Sequence, residues 1–132
     1  MMEIKKILRE KAQEASKNAY SPYSNALVGS AIQMSDGSIY TGCNIENASY
    51  GGTICAERVA ILKAVSDKKM QIEKVYVYTK EGWPPCGMCR QVMSEFASPT
   101  MEVIIGDVAG KETSMKFSDL MPLSFTPDHL KK

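Results

Sequence analysis

Residues that can bind a metal ion or transfer a proton occur at two places in the sequence. Cys55 and Glu57 lie two residues apart in the stretch CAERVAI, and Cys86 and Cys89 form a C-x-x-C pair. Thiolates are favoured ligands of zinc, and a zinc ion with only three protein ligands keeps its fourth position for water, as in catalytic sites. A carboxylate beside that water can take up a proton and return it to a leaving group. The pattern therefore predicts a catalytic zinc site in which Glu57 moves protons.

Two predicted helices have to bring these residues together. One runs from about Thr53, a candidate N-cap, to Ser66, and the other begins after the Pro84-Pro85 pair. Cys55 then lies near the start of the first helix, and the C-x-x-C pair lies in the first turn of the second. A helix N-terminus carries partial positive charge, which favours a thiolate over a thiol. We expect the two helix starts to converge.

Other interpretations of the same residues remain open from their types alone. Cys43 as a fourth ligand would give a closed, all-cysteine structural zinc site. Cys86 and Cys89 could form a redox pair, although no thioredoxin-like pattern flanks them. Glu57 could be an ordinary acidic residue in a first helical turn. The combination of C-A-E with P-C-x-x-C is more specific than any of its parts.

The remaining segments predict a single α/β domain over residues 1–132, with helices packed on a mixed sheet. Apolar residues from Ile4 to Ala19 recur at helical spacing until YSPYSN, where Pro22 is the expected stop. Asp36-Gly37 predicts a hairpin turn between two strands. KVYVYT and MEVIIGD are typical of buried strands, TSMKFS of a weaker strand, and a short helix follows. The predicted order is α-β-β-α-β-α-β-β.

Composition narrows the range of functions. The chain has 132 residues, 44% hydrophobic and 23% charged, with a net charge of +1. This near balance argues against nucleic-acid and membrane partners, and no apolar run approaches the roughly 18 residues of a membrane-spanning helix. The charged, helix-periodic N-terminus does not resemble a signal peptide. We therefore expect a cytoplasmic protein with reduced cysteines.

Several motifs, in one order along nearly the whole chain, resemble a known family. They are AYSPYS, VGSAI, GCNIENASYG, CAERVAI, PPCGMCRQVMSEF and LMPLSFTPDHL. Zinc-dependent nucleobase deaminases carry a related signature, in which a histidine stands where this chain has its first cysteine. The chain most closely resembles the small homotetrameric cytidine deaminases of pyrimidine salvage. That resemblance implies a three-layer α/β/α sandwich with a five-stranded mixed sheet.

The resemblance also implies roles for individual residues. Cys55, Cys86 and Cys89 would bind one zinc ion per chain, and Glu57 would be the proton shuttle. Arg58 would donate to thiolate sulfur and offset the negative charge of three thiolates around zinc. The other matching positions concern substrate binding: Asn44 and Glu46 for the ribose hydroxyls, the Ala56 N–H for the pyrimidine carbonyl, and Tyr50 and Phe125 for pockets completed by neighbouring subunits.

The function implied is hydrolytic deamination of free cytidine and 2′-deoxycytidine to uridine and 2′-deoxyuridine, with release of ammonia. One alternative is a deaminase of a modified cytosine nucleoside, of the blasticidin S type or substituted at N4 or C5. Another is an inactive, zinc-stabilised structural module, against which the intact Glu57 argues. The solitary His129, in a polar tail, is expected to be solvated rather than a ligand.

Three positions depart from the family pattern near the expected base pocket. Ala26 stands where relatives usually carry a phenylalanine that packs against the pyrimidine. Pro84 replaces serine or threonine, and Met88 replaces alanine. Met88 is flexible enough to fill part of the space that a missing ring would leave. A roomier base pocket is the hypothesis that follows, with simple repacking as its alternative.

Overall fold

A central five-stranded sheet carries helices on both faces. The computed structural model describes residues 3–131. The elements are α1 (Ile4–Ser16), β1 (Gly29–Met34), β2 (Ile39–Cys43), α2 (Ala56–Ser66), β3 (Ile72–Tyr78), α3 (Gly87–Phe96), β4 (Ala97–Gly106), β5 (Glu112–Lys116) and α4 (Phe117–Leu120). The sheet has the strand order β2-β1-β3-β4-β5, in which β3 and β4 are parallel and the other neighbours are antiparallel. Short 3-10 helices span Tyr50–Gly52 and Pro127–Leu130.

The two faces of the sheet bury different apolar clusters, because side chains alternate along each strand. Ala31, Tyr76 and Ile104 point towards α1 and pack with Leu8 and Ala12. The larger cluster on the opposite face joins β1, β3 and β4 to α2 and α3. It includes Ile32, Ile61, Val75, Val77, Cys89, Met93 and Val103. These three layers confirm the predicted sandwich, including its mixed sheet. Within residues 3–131, no helix is long and apolar enough to cross a membrane.

The predicted hairpin is present, and its turn requires a backbone conformation at position 37 that favours glycine. Gly37 has φ +91°, a left-handed conformation that glycine adopts without strain. Asp36 supports the turn, since its Oδ1 accepts a hydrogen bond from the Ser38 N–H at 3.0 Å. β1 and β2 pair directly on either side of this turn, from Gly29 opposite Cys43 to Gln33 opposite Ile39.

Two predicted helix boundaries are wrong, for the same physical reason. The first helix ends at Ser16 rather than at Ala19, the last residue of the predicted helical pattern, because the backbone of Tyr20 pairs with Asn44 and Glu46. α2 begins at Ala56, and its N-cap is Cys55 rather than Thr53. After the 3-10 helix, residues 53–55 are extended because Ile54 forms a bridge with Ile45. In both cases, pairing with a distant segment overrides the local helical pattern.

Candidate active site

Three cysteine side chains meet at the starts of α2 and α3. The Sγ atoms of Cys55, Cys86 and Cys89 all lie within 4.8 Å of one another. The Cys55–Cys86 separation is 3.7 Å and the Cys86–Cys89 separation is 3.4 Å. Tetrahedral zinc with Zn–S bonds of about 2.3 Å needs sulfur atoms about 3.8 Å apart. The cluster therefore fits a zinc ion with three protein ligands.

The fold places this cluster where thiolates are stabilised. Cys55 is the N-cap residue of α2, and Cys86 is the N-cap residue of α3. The positive ends of two helix dipoles therefore point at the sulfur atoms. The hydrogen bond from Cys89, supported by Arg58 and opposed by burial, lowers the pKa of the Cys55 thiol, whereas the same hydrogen bond, together with burial, raises the pKa of Cys89. The thiolate is therefore favoured at Cys55, and Cys89 would give up its proton on binding a metal ion.

The position of Arg58 also indicates that the cysteine cluster can carry negative charge. Its Nη2 lies 3.6 Å from the Cys55 Sγ and 3.4 Å from the Thr53 carbonyl oxygen. Its Nε is buried and has no hydrogen-bond partner among the described protein atoms. A guanidinium this close to sulfur offsets part of the negative charge that three thiolates would bring.

Glu57 lies beside the cysteines and is almost fully buried, with 3% of its surface exposed. Burial, which disfavours the charged form, raises the pKa of this carboxyl to about 7. An ordinary acidic residue in the first turn of a helix would face solvent. The burial of Glu57 at the cleft is instead typical of a group that gains and loses a proton near neutral pH.

A cavity of about 250 Å³ opens over the cluster. Most of the predicted site residues line it: Ala26, Asn44, Glu46, Cys55, Ala56, Glu57 and Cys86. Ala56 is the first residue of α2, so its N–H has no partner within the helix. The cavity thus brings together a potential metal site, a buried carboxyl and a backbone donor.

Asn44 holds the loop that forms one wall of this cavity. Its Oδ1 accepts a hydrogen bond from the Val28 N–H at 3.0 Å, and its Nδ2 donates to the Ala26 carbonyl at 2.9 Å. Asn44 is buried. The amide therefore fixes the position of Ala26 as well as presenting its own atoms to the cavity.

Glu46 anchors the same loop nearer the surface. Its Oε1 accepts hydrogen bonds from the N–H groups of Tyr23 at 2.9 Å and Ser24 at 3.1 Å. The Ser24 hydroxyl donates to the other carboxylate oxygen. These bonds, led by the Ser24 hydroxyl, lower the pKa of Glu46. A fixed negative charge therefore stands at this side of the cavity at neutral pH.

Other predicted residues lie away from this cavity. Tyr50 borders a neighbouring hollow with Tyr23, and their ring centroids are 5.8 Å apart. Phe125 lies outside the cleft of its own chain and stacks on His129, with the ring centroids 5.3 Å apart. His129 is exposed, its Nδ1 accepts a hydrogen bond from the Thr126 N–H at 3.0 Å, and it is not part of the cysteine cluster. Cys43 also lies outside that cluster, at the end of β2.

The suggestion that Met88 fills the base pocket is wrong. Its side chain does not line the cavity, and 64% of its surface is exposed. Met88 is the second residue of α3, between the two cysteines that face the cluster. At 100° per residue, a position directly beside Cys89 points to a different side of the helix. Pro84 does line the cavity, as expected from its place before Cys86.

Trp83 is a cavity residue that sequence reasoning missed. Thr79 fixes its backbone, because the Thr79 Oγ1 accepts hydrogen bonds from the N–H groups of Gly82 at 2.8 Å and Trp83 at 2.7 Å. The sequence did hint at a role for Trp83, since it is the only tryptophan in the chain and directly precedes P-P-C. The orientation of its side chain could not be predicted from spacing, because residues 79–86 form neither helix nor strand.

Comparison with known proteins agrees with this geometry. A family described as "Cytidine and deoxycytidylate deaminase zinc-binding region" matches residues 2–106. A cytidine deaminase of Halalkalibacterium halodurans is 42% identical over 128 residues, which cover 96% of this chain and 97% of the relative. A cytidine deaminase of Sporosarcina psychrophila is 40% identical and covers 98% of this chain and 96% of its own. The crystal structure of a cytidine deaminase from Burkholderia pseudomallei superposes with a TM-score of 0.88 at 39% identity, covering 95% of this chain and 100% of that one.

Proposed function

This chain belongs to the family of cytidine and deoxycytidylate deaminases and is a zinc-dependent hydrolytic deaminase, and from this premise we propose that its substrates are free cytidine and 2′-deoxycytidine. Water replaces the exocyclic amino group at C4 of the base, so that the products are uridine, or 2′-deoxyuridine, and one ammonia. The observation that carries the proposal is the buried Glu57 in a cleft that is lined by Cys55 and Cys86, two of the three converging cysteines.

Cys55, Cys86 and Cys89 would hold the zinc ion, and Glu57 would move the protons. When bound, zinc lowers the pKa of a water molecule so that it can act as a nucleophile near neutral pH. Glu57 would take one proton from the attacking water and pass it to ring nitrogen N3, and would then take the second proton of that water and give it to the departing amino group, which leaves as ammonia. The low exposure of Glu57 keeps these transfers away from bulk solvent.

The base would be oriented by the start of α2. The Ala56 N–H, which has no intrahelical partner, donates to the carbonyl oxygen at C2. Ala56 and Glu57 are adjacent in the chain and both line the cavity. The carbonyl oxygen and N3 are likewise adjacent on one edge of the ring. A single helical turn can therefore recognise that edge and place C4 near the cysteines.

The sugar would lie against Asn44 and Glu46, on the opposite wall. A carboxylate accepts hydrogen bonds from sugar hydroxyls, and an amide can both donate and accept. The negative charge of Glu46 repels a phosphate, which supports a free nucleoside over a nucleotide. Because the enzyme would act on free nucleosides, we expect it to take part in the salvage of pyrimidine nucleosides.

We propose that the enzyme is a homotetramer, in which neighbouring subunits complete each cleft. Phe125 supports this assembly, because its ring lies outside the cleft of its own chain and is 55% exposed. Leu123 and Leu130 expose further apolar surface in the same C-terminal segment. We propose the cytoplasm, because Cys55, Cys86 and Cys89 would serve as zinc ligands, which need a reducing compartment, rather than as disulfides.

A panel of five compounds tests the proposed substrates. Zinc-loaded protein is mixed with cytidine, 2′-deoxycytidine, cytosine, CMP and blasticidin S, while ultraviolet absorbance and released ammonia are followed. We expect rapid turnover of the two nucleosides only, and loss of that turnover in Glu57→Gln as the control.

Each other outcome has a defined meaning. Turnover of CMP as fast as cytidine would contradict the choice of a free nucleoside. Turnover of blasticidin S alone would favour the modified-nucleoside alternative. Turnover of none of the five by zinc-loaded, folded protein would refute the proposal and favour the inactive module.

A further inference from the structure

We infer that Arg90 is a positioning residue for the zinc site, because its guanidinium fixes the backbone directly before Cys86 and so holds that cysteine in place for the metal ion. The inference rests on the proposed role of Cys86 as a zinc ligand. It goes beyond that role, since Arg90 neither belongs to the cysteine cluster nor lines the cavity.

Cys86 is the exposed member of the cysteine cluster. It is the N-cap residue of α3 and follows residues 79–85, which form neither helix nor strand. Cys89, by contrast, is buried in the larger core cluster. Core packing therefore fixes Cys89, whereas the position of Cys86 depends on the backbone that precedes it.

Arg90 holds that backbone with two hydrogen bonds from one guanidinium. Its Nε donates to the Pro85 carbonyl at 2.9 Å, and its Nη1 donates to the Leu120 carbonyl at 3.0 Å. Pro85 is itself buried. Because a guanidinium is planar and rigid, the two bonds fix the residue next to Cys86 relative to the end of α4.

The end of α4 is a firm anchor for this pair of bonds. Phe117, the first residue of α4, is buried in the same core cluster as Cys89, and Leu120 packs against that cluster. The Leu120 backbone is therefore tied to the core. Through Arg90, the core also determines where the segment before Cys86 lies.

This support matters because zinc requires narrow distances between its ligands. The Cys86 Sγ lies 3.7 Å from the Cys55 Sγ and 3.4 Å from the Cys89 Sγ, near the spacing of about 3.8 Å for tetrahedral zinc. Without Arg90, the segment before Cys86 would have to be ordered when the ion binds. That ordering would reduce the affinity for zinc.

Competition with a chromophoric chelator measures the zinc Kd and needs no substrate. Zinc-loaded protein is titrated with the chelator under reducing conditions. Arg90→Ala should raise the zinc Kd about 10–100-fold, the usual effect of removing a residue that orients a metal ligand. Arg90→Lys keeps the positive charge but cannot hold two carbonyls in a fixed geometry, so it should raise the Kd at least about threefold. A Kd within about twofold of wild type in either variant would overturn the inference.

Gln91→Ala is the matched control, because Gln91 is the next residue on α3 and also donates to a backbone carbonyl. Its Nε2 lies 2.9 Å from the Phe125 carbonyl oxygen, in the C-terminal segment rather than beside Cys86. Its loss should leave the zinc Kd unchanged. A rise as large as that in Arg90→Ala would indicate a general loosening of α3 and would refute the role of Arg90.

A second control separates ligand placement from overall stability. Gly29→Ala destabilises the protein from the α1 side of the sheet, because its added Cβ would lie 1.8 Å from the Ala12 carbonyl oxygen. Its urea midpoint should fall while its zinc Kd stays at the wild-type value. If the zinc Kd instead followed the urea midpoint across Arg90→Ala, Gln91→Ala and Gly29→Ala, Arg90 would act on stability alone and the inference would be wrong.

The same measurement distinguishes failure of the inference from failure of the proposed function. No nucleoside is present, so a protein that binds zinc in this way but fails to deaminate cytidine counts against the proposed function only. An unchanged zinc Kd in Cys86→Ala would remove Cys86 as a ligand and would refute both.

Discussion

Replacing Gly42 with alanine should disable the site without changing any residue in it. Gly42 lies on β2 against the first turn of α2. A Cβ added there would be 2.5 Å from the Ala56 carbonyl oxygen and 2.6 Å from the Ala60 nitrogen. Ordinary contact is at about 3.5 Å, so the helix would have to retreat by about 1 Å. Both clashing atoms are backbone, so no side-chain rotation can relieve the overlap.

The displaced turn is the one that carries Cys55 and Glu57. We expect Gly42→Ala to destabilise the protein by about 1–3 kcal/mol, as overpacking usually does. We also expect kcat to fall about 100-fold, since misplacement of reacting groups by about 1 Å has an effect of that size. Zinc affinity should decrease as well, because Cys55 moves away from Cys86.

Gly29→Ala is the control that distinguishes displacement of the site residues in Gly42→Ala from a general loss of stability. A Cβ at Gly29 would lie 1.8 Å from the Ala12 carbonyl oxygen, so this overlap is more severe, but it displaces α1, which carries no site residue. Urea unfolding gives the stability of each variant, and kcat is measured per zinc-loaded, folded subunit. The reasoning is refuted if Gly42→Ala keeps wild-type kcat and zinc content, or if Gly29→Ala loses as much kcat per folded subunit.

Glu57→Gln should keep the fold and the zinc while kcat falls by about 10²–10⁴, because the proton shuttle is lost and ligation is not; a variant with more than about a tenth of wild-type kcat would show that another group moves the proton. Cys86→Ala should lose zinc and activity together, whereas Cys43→Ala should retain both; metal analysis with equal zinc in the two variants would contradict the three-cysteine site. Phe125→Ala should raise KM for cytidine through a contact between subunits, and light scattering that gives a monomeric mass for fully active enzyme would rule out this explanation.

The sequence was sufficient for the features that depend on local chemistry. Segments rich in β-branched and aromatic residues predicted the buried strands. Asp36-Gly37 predicted the hairpin, because few residues fit that turn. The spacing of Cys86 and Cys89, together with Cys55 and Glu57, indicated a zinc site with a proton shuttle. The turn and the C-x-x-C pair needed only residue types and short separations, whereas joining Cys55 to that pair rested on the expectation that the two helix starts converge.

Only the tertiary structure decided which distant residues meet. Cys55 and Cys86 are 31 positions apart, and their contact depends on the starts of α2 and α3 lying side by side. α2 begins at Ala56 because Ile54 bridges to Ile45, a pairing that no local pattern reveals. The placement of Trp83 at the cavity, and of Met88 outside it, likewise depends on how a nonrepeating segment and a helix are oriented. Spacing along a chain determines neighbours within an element, whereas packing between elements determines which side chains share a cavity.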